Sequence, residues 1–397
     1  MLIEIIIFLF LGIFLGLICG LLPGIHINLI GTILITLSAT TLAFIEPLYF
    51  VVLIVSMAIT QTFFDFIPGI LLGCPDEDSQ LSVLPGHQLL KKGQAYQAIR
   101  LTSYGCLIGI ILLFIIILPT IIFLPTIYNS IKTSIPFILI FISLIMILSE
   151  KTKSKAFLVF IFTGILGYLV LNNPSIKEPL MPLLTGLFGS STLIMSMRDK
   201  VKIPLQEIKE PKIKNRIIKP AIGSLLASPL CAFIPGVGGG QAAVIANIIA
   251  KTKRKGFLVL LGATNMLVMC LSFIAIYSIS KGRTGAAAAI QTISGETSIK
   301  FLILMILIII FSGIISFLLV KSITKNLVKI INKVNYFKLS IITLLVVSMI
   351  TLAISGILGI LVLIISTLTG IYCIQLKTKR TCMMACLMVP VILFYLL

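Results

Sequence analysis

Two apolar stretches in opposite halves of the chain, Cys19-Gly-Leu-Leu-Pro-Gly24 and Cys231-Ala-Phe-Ile-Pro-Gly236, interrupt themselves in the same way. Each lies within a hydrophobic run and places Pro-Gly where a helix would have to continue. Proline removes a backbone donor and clashes with the preceding turn, and glycine is a poor helix former, so the helix breaks there. Inside a bilayer the freed backbone groups find no water. Such a break is tolerated only where protein covers it or a cavity adjoins it. A broken hydrophobic segment at corresponding positions of two halves therefore predicts a repeat-built membrane architecture with its site near the midplane, the pattern of secondary transporters.

Composition supports the membrane setting. The chain is 59% hydrophobic and 11% charged, with mean hydropathy +1.21, outside the range of soluble domains. Apolar segments are expected near 3–21, 24–43, 48–73, 101–127, 134–149, 156–172, 179–196, 218–234, 237–250, 256–279, 301–320, 339–355, 357–376 and 382–397. Some are short enough to be half-helices, so ten to twelve crossings are expected. The fold class is an all-α polytopic protein of the cell membrane with two similar halves. The halves are expected to be inverted repeats containing Pro-Gly-broken re-entrant helical hairpins. The first segment follows Met-Leu-Ile-Glu, without the positive charge of a secretory signal, so it is expected to stay in the mature protein.

The formal charge of +19 does not indicate nucleic acid. Lys and Arg are clustered between apolar runs, at 91–92, 151–155, 198–219, 251–255, 321–338 and 377–380. That is the distribution of cytoplasmic loops, which also attract anionic lipid headgroups, and no basic face is interleaved with aromatics. The eight cysteines form no Cys-x-x-Cys, and Cys382 and Cys386 have no His or acid beside them, so buried free thiols are expected rather than a metal site.

The charged segment 198–219, with Pro204 and Pro211, divides the chain into a first repeat (1–197) and a second (220–397) and is expected to be a cytoplasmic linker. The loop after the first broken segment, Ala39 to Pro47, holds one Glu and no cation. Its counterpart is Lys251-Thr-Lys-Arg-Lys255. The positive-inside rule puts the two on opposite sides of the membrane, which predicts inversion with the N-terminus outside. Lys281 and Arg283, which then fall toward the outer side, run against that trend.

The second break continues as Pro235-Gly236-Val-Gly238-Gly239-Gly240-Gln241 into a small-residue helix. A helix amino terminus carries unsatisfied N–H donors and partial positive charge, and glycine lets an anion approach them without meeting a Cβ. Close helix packing is the alternative use of the same glycines. In the first break, Pro23-Gly24 is followed by His26 and Asn28, both able to hydrogen-bond an oxyanion, the histidine also able to carry a proton. Asp65 is embedded among aromatic and apolar residues. A charge there costs about 2.5–3.5 kcal/mol on insertion scales, so it must be protonated, paired or ion-coordinating. Asp76, Glu77 and Asp78 suit either a site or a solvated loop. In the second half Asn265, Lys281, Arg283 and Thr284 precede Gly285 and four alanines.

These residues form two candidate groups. Pro23, Gly24, His26, Asn28, Pro235, Gly236, Gly238, Gly239, Gly240, Gln241, Arg283 and Thr284 are expected to bind substrate. Asp65, Asn265 and Asn28 are expected to hold the coupling ion, sodium or a proton, with no other cofactor and no metal. No zinc-protease, serine-hydrolase or Walker motif is present, so an enzyme is not expected.

Leu22-Pro-Gly24, Pro68-Gly69, Lys91-Lys-Gly-Gln-Ala-Tyr-Gln-Ala98 and Ile234-Pro-Gly-Val-Gly-Gly240 resemble the TctA permease family, the large membrane subunit of tripartite tricarboxylate transporters. The resemblance implies a permease moving a small carboxylate anion with a cation gradient, aided by a small membrane subunit and an extracytoplasmic binding protein. The chain departs from the family at Pro85-Gly86, usually Asp-Gly, and at Thr60-Gln-Thr62, usually Gly-Gly-Ser, so tricarboxylate specificity is not carried over. The second break is also similar to a run in polyprenyl-phosphate translocases, which implies the alternative of a flippase for a lipid phosphate.

Overall fold

The computed structural model describes residues 2–22, 34, 45–73, 79–131, 134–148, 150, 152–198, 204–213, 217–232, 239–282, 284–295, 298–332 and 336–396. Among them every long element is a helix. The first half contains α1 (Leu2–Leu21), α2 (Pro47–Phe64), the short α3 (Phe66–Leu71) and α4 (Val83–Leu90), then α5 (Ala95–Ile131), α6 (Ile135–Leu148) and α7 (Lys153–Leu171). A π-helical segment, Thr185–Ser190, joins α8 (Leu180–Leu184) to α9 (Ser191–Arg198). The second half contains α10 (Ile218–Ala232), α11 (Gly239–Ala250), α12 (Arg254–Ile279), α13 (Gly285–Ser294), α14 (Ile299–Ile331), α15 (Tyr336–Gln375) and α16 (Ala385–Leu396). The chain is an all-α, multi-pass membrane protein.

Seven described helices are long and apolar enough to cross a bilayer, and three shorter apolar ones accompany them, against the ten to twelve crossings expected. The segment expected at 24–43 lies almost wholly outside the described residues, and the rest of the difference comes from length. α10 and α11, at 15 and 12 residues, are too short for the ~30 Å hydrocarbon core at ~1.5 Å per residue. α15 has the opposite problem, because its 40 residues would overshoot one bilayer. It breaks at Gly356 (φ 68°, ψ −164°), a region essentially restricted to glycine, and so supplies the two segments expected on either side of that residue.

Burial sorts the helices into an inner pair and a lipid-facing shell. The apolar windows of Pro47–Leu71 and of α12 are 94% and 89% buried, whereas that of α1 is 22% buried. The outer helices present Phe114, Phe141, Phe162, Leu318 and Leu368 outward. The inner helices carry the polar residues, among them Ser56, Thr60, Gln61, Thr264, Asn265 and Ser272. Such side chains are costly against lipid and are tolerated where other helices surround them.

Glycines bring the shell onto the inner pair. A Cβ on Gly12, Gly16 or Gly20 of α1 would strike the α2 backbone near Leu53, Met57 and Gln61. Gly105 and Gly109 of α5 meet Val259, Ala263 and Met266 of α12, and Gly262 of α12 meets Thr102. Lipid tails are as apolar as leucine, so close backbone approach is what holds such helices together.

These contacts also fix helix directions. α1 runs parallel to α2, and α5 parallel to α12. Ile59 meets Gly313, and Ser316 Oγ donates to Thr60 Oγ1 at 2.9 Å, so α2 runs parallel to α14. α5 begins where α14 ends, because Gln206 binds both: Ala95 N–H donates to its Oε1 (3.0 Å), and its own N–H donates to Asn332 Oδ1 (2.7 Å). The inner helices α2 and α12 therefore run in opposite directions.

The segment read as a plain linker is a packed strap where it is described. Glu207 N–H donates to Gly93 O at 2.8 Å, and Gln206 Nε2 donates to Leu90 O at 2.9 Å. Gly93 has φ 73° and leaves no room for a Cβ beneath Leu205 O, which accounts for the glycine in Lys91-Lys-Gly-Gln. Glu210 anchors the strap on Arg100, which is only 2% exposed (Nε to Oε2 3.3 Å), and accepts from Tyr96 Oη at 2.9 Å. The Arg100 guanidinium lies over the rings of Tyr104 (4.8 Å) and Phe317 (4.6 Å).

Two substitutions separate strain from charge. Gly356→Ala meets no atom within 4 Å, so its cost is conformational, about 1–3 kcal/mol, read as a lowered melting temperature in detergent. Glu210→Gln leaves the buried Arg100 charge short of its partner and is expected to cost about 1.5–3 kcal/mol, with Glu210→Asp retaining part of it.

Candidate functional site

The inner helices are where the expected site residues converge. α11 begins at Gly239, so the glycine run of the second break does deliver a helix amino terminus, with Gly239 and Gly240 buried. A Cβ on Gly239 would collide with the Asn265 side chain and lie 3.3 Å from its Cα. The sequence assigned Gly239 to substrate and Asn265 to the ion, and the fold puts them in contact. Asn265 is 5% exposed on α12. One residue earlier, Thr264 Oγ1 lies 3.0 Å from Ser224 Oγ of α10, and Ser228 on the same helix is also buried, so a polar seam runs between α10 and α12.

Asp65 sits at the junction of α2 and α3. Its N–H donates to Gln61 O (2.9 Å), and its carbonyl accepts from Ser79 Oγ (3.4 Å). Gly20, three residues before Pro23, packs against the backbone of Gln61 and Asp65. The last turn of α1 before the first break is therefore held at Asp65, much as the start of α11 is held at Asn265. Gln61, 3% exposed, and Thr60 lie one turn from Asp65 on α2 and were not singled out from the sequence as ligands. A polar triplet inside an apolar run was the available signal.

Thr284 has a structural task. It caps α13, its Oγ1 accepting from Ala287 N–H (3.2 Å), and its own N–H donates to Ser272 Oγ of α12 (3.1 Å). Gln241 lies in the first turn of α11. Pro23, Gly24, His26, Asn28, Pro235, Gly236, Gly238 and Arg283 fall outside the described residues, as do Asp76, Glu77 and Asp78. Among the described residues no group of three or more His, Cys, Asp or Glu is placed to hold a metal ion, and six cysteines are free and buried.

A second polar cluster, around α4, was hardly foreshadowed by residue pattern. Gly73 (φ 72°) lies against the His87 ring, and a Cβ there would come within 3.2 Å of Cε1. Arg380 donates from Nη1 to Phe188 O at 3.2 Å, on the π-helical segment, and also to Thr192 Oγ1. The neighbouring Lys379 pairs with the buried Glu150 at 2.9 Å. Burial, then the charges of Arg380 and Lys91, push the His87 pKa down to about 3. The folded value lies below the unfolded one, so the unfolded chain takes up a proton first as pH falls. Stability is thus full above pH 6.5 and is expected to decline by about 1.4 kcal/mol per pH unit below it. His87→Gln should flatten that slope in thermal unfolding followed from pH 7.5 to pH 5.

Comparison with known proteins gives one family. The tripartite tricarboxylate transporter TctA family matches residues 6–385. An uncharacterized protein of Methanocaldococcus jannaschii is 31% identical over 405 residues, covering 98% of this chain and 99% of the relative. No solved structure matches.

Proposed function

Because this chain belongs to the tripartite tricarboxylate transporter TctA family, we propose that it is the permease of an ion-coupled secondary transporter for a small carboxylate anion. The substrate is held between the two Pro-Gly breaks, and sodium or a proton is the coupling ion. The observation that carries this reading is the meeting of Gly239, at the amino end of α11, with the Asn265 side chain in the protein interior. A half-helix amino terminus offers N–H donors and positive potential to a carboxylate, and side-chain oxygens beside it suit a small cation. Asp65, held against the end of α1, is the matching group of the other half.

The two halves act as inverted repeats in this reading. The antiparallel inner helices support it, as does the reciprocal packing of α5 on α12 and α14 on α2. Rocking of one repeat against the other then alternates access to a fixed site. Basic residues from 92, 219 and 251–255 gather at the end where α5 begins, which the positive-inside rule assigns to the cytoplasm. Family membership implies a small membrane subunit and an extracytoplasmic binding protein as partners. The departures at Thr60-Gln-Thr62 and Pro85-Gly86 leave the carboxylate class open.

A ligand that binds only the folded state raises its stability with ln(1 + [L]/Kd). Sodium-dependent thermal stabilisation by a di- or tricarboxylate is expected. Stabilisation by a short polyprenyl phosphate alone would replace this reading with a lipid-phosphate flippase. In proteoliposomes Asn265→Ala is expected to lower uptake at least tenfold with insertion intact. Gly239→Ala, which must displace Asn265, is expected to do the same and to cost about 1–3 kcal/mol of stability. Normal uptake by both variants would remove the site from this position.

A further inference from the structure

Three separated parts of the chain converge on one open cavity of about 550 Å³ at the end where α5 begins. Lys92 comes from the turn before α5, Lys219 from the first turn of α10, and Lys251, Lys253, Arg254 and Lys255 from the approach to α12. Six cations line it, and among the described residues no acid does. Lys255 also donates to Gln97 Oε1 at 3.0 Å. A second cavity of about 400 Å³ adjoins it through Thr252 and Arg254 and continues to Lys379 and Arg380. The positive-inside rule accounts for lysines in these loops, but not for their convergence from three segments around one hollow.

The arrangement carries a local electrostatic cost that an anion in the hollow would relieve. The cations surround the amino end of α12, where the helix dipole disfavours positive charge.

We propose that this cavity binds a phosphate-bearing anion, at a site separate from the one between the Pro-Gly breaks. Several lysines, the Arg254 side chain and the positive end of the α12 dipole form a multidentate receptor for phosphate oxygens. The phosphate belongs either to a lipid headgroup or to a soluble molecule. Ile218 and Ile222, on the α10 turns next to Lys219, are 72% and 50% exposed and would accommodate acyl chains beside the cavity. The inference does not rest on the carboxylate reading, since neither cavity is lined by Gly239, Asn265 or Asp65.

The test uses purified full-length protein in neutral detergent at constant ionic strength held with chloride. Melting temperature is titrated with inorganic pyrophosphate and, separately, with short-chain phosphatidylglycerol below its micelle concentration. Three proteins are compared: the unaltered chain, Lys92→Gln/Lys219→Gln/Lys253→Gln, and Lys325→Gln/Lys329→Gln/Lys338→Gln, which makes the same charge change at exposed residues outside the cavity. Stabilisation of the unaltered chain is expected, with an apparent Kd at least tenfold weaker in the cavity variant and within twofold in the other. In chloride alone the cavity variant should melt no lower than the unaltered chain, because it relieves like-charge repulsion. A response to pyrophosphate assigns the site to soluble phosphate, and a response to the lipid alone assigns it to a headgroup. No stabilisation by either probe, or equal weakening in both variants, would overturn the proposal.

Discussion

Backbone-to-backbone contact at glycine underlies every other feature of this helix assembly. In hydrocarbon the helices gain nothing by hiding leucine from lipid, so association rests on how closely their axes approach and on bonds across the contact. Gly12, Gly16 and Gly20 seat α1 on α2, and Gly105, Gly109 and Gly262 seat α5 and α12 on each other. Once these contacts exist, α2 and α12 are enclosed, and only then are Thr60, Gln61, Thr264 and Asn265 tolerable where they lie.

Enclosure also makes the polar interior specific. Ser316 bonds Thr60, Thr264 faces Ser224, and Thr284 bonds Ser272, each joining an enclosed helix to a neighbour. The strap 204–213 works differently, at the helix ends, where Gln206 ties the start of α5 to the end of α14 and Glu210 answers the Arg100 charge. Helix-to-helix packing and the bonds of the strap thus divide the work of holding the two halves together.

Much of this was legible from residue pattern. The apolar segments near 48–73, 101–127, 156–172, 256–279 and 301–320 correspond to described helices, because ~20 apolar residues in sequence leave few other conformations in a bilayer. The start of a helix at Gly239 followed from the glycine run, and the two-part character of α15 from the separation of its apolar segments at Gly356. The roles of Gln206, His87 and Arg380 were not legible. Each acts on residues far away in sequence, and a lone polar residue in a loop carries no mark of which distant carbonyl or hydroxyl it will meet.

A multi-pass helical membrane protein with Pro-Gly inside an apolar run of each half was written in the residue order alone, because hydropathy and helix-breaking tendency are local properties that the bilayer enforces residue by residue. That order also carried the motifs of its family. Three-dimensional packing was needed to bring Gly239 onto Asn265, to run the inner helices in opposite directions, and to gather Lys92, Lys219 and Lys253 around one cavity. Those are matters of which helix face meets which. They are settled by side-chain volume and backbone approach between segments scores of residues apart, and no local pattern encodes them.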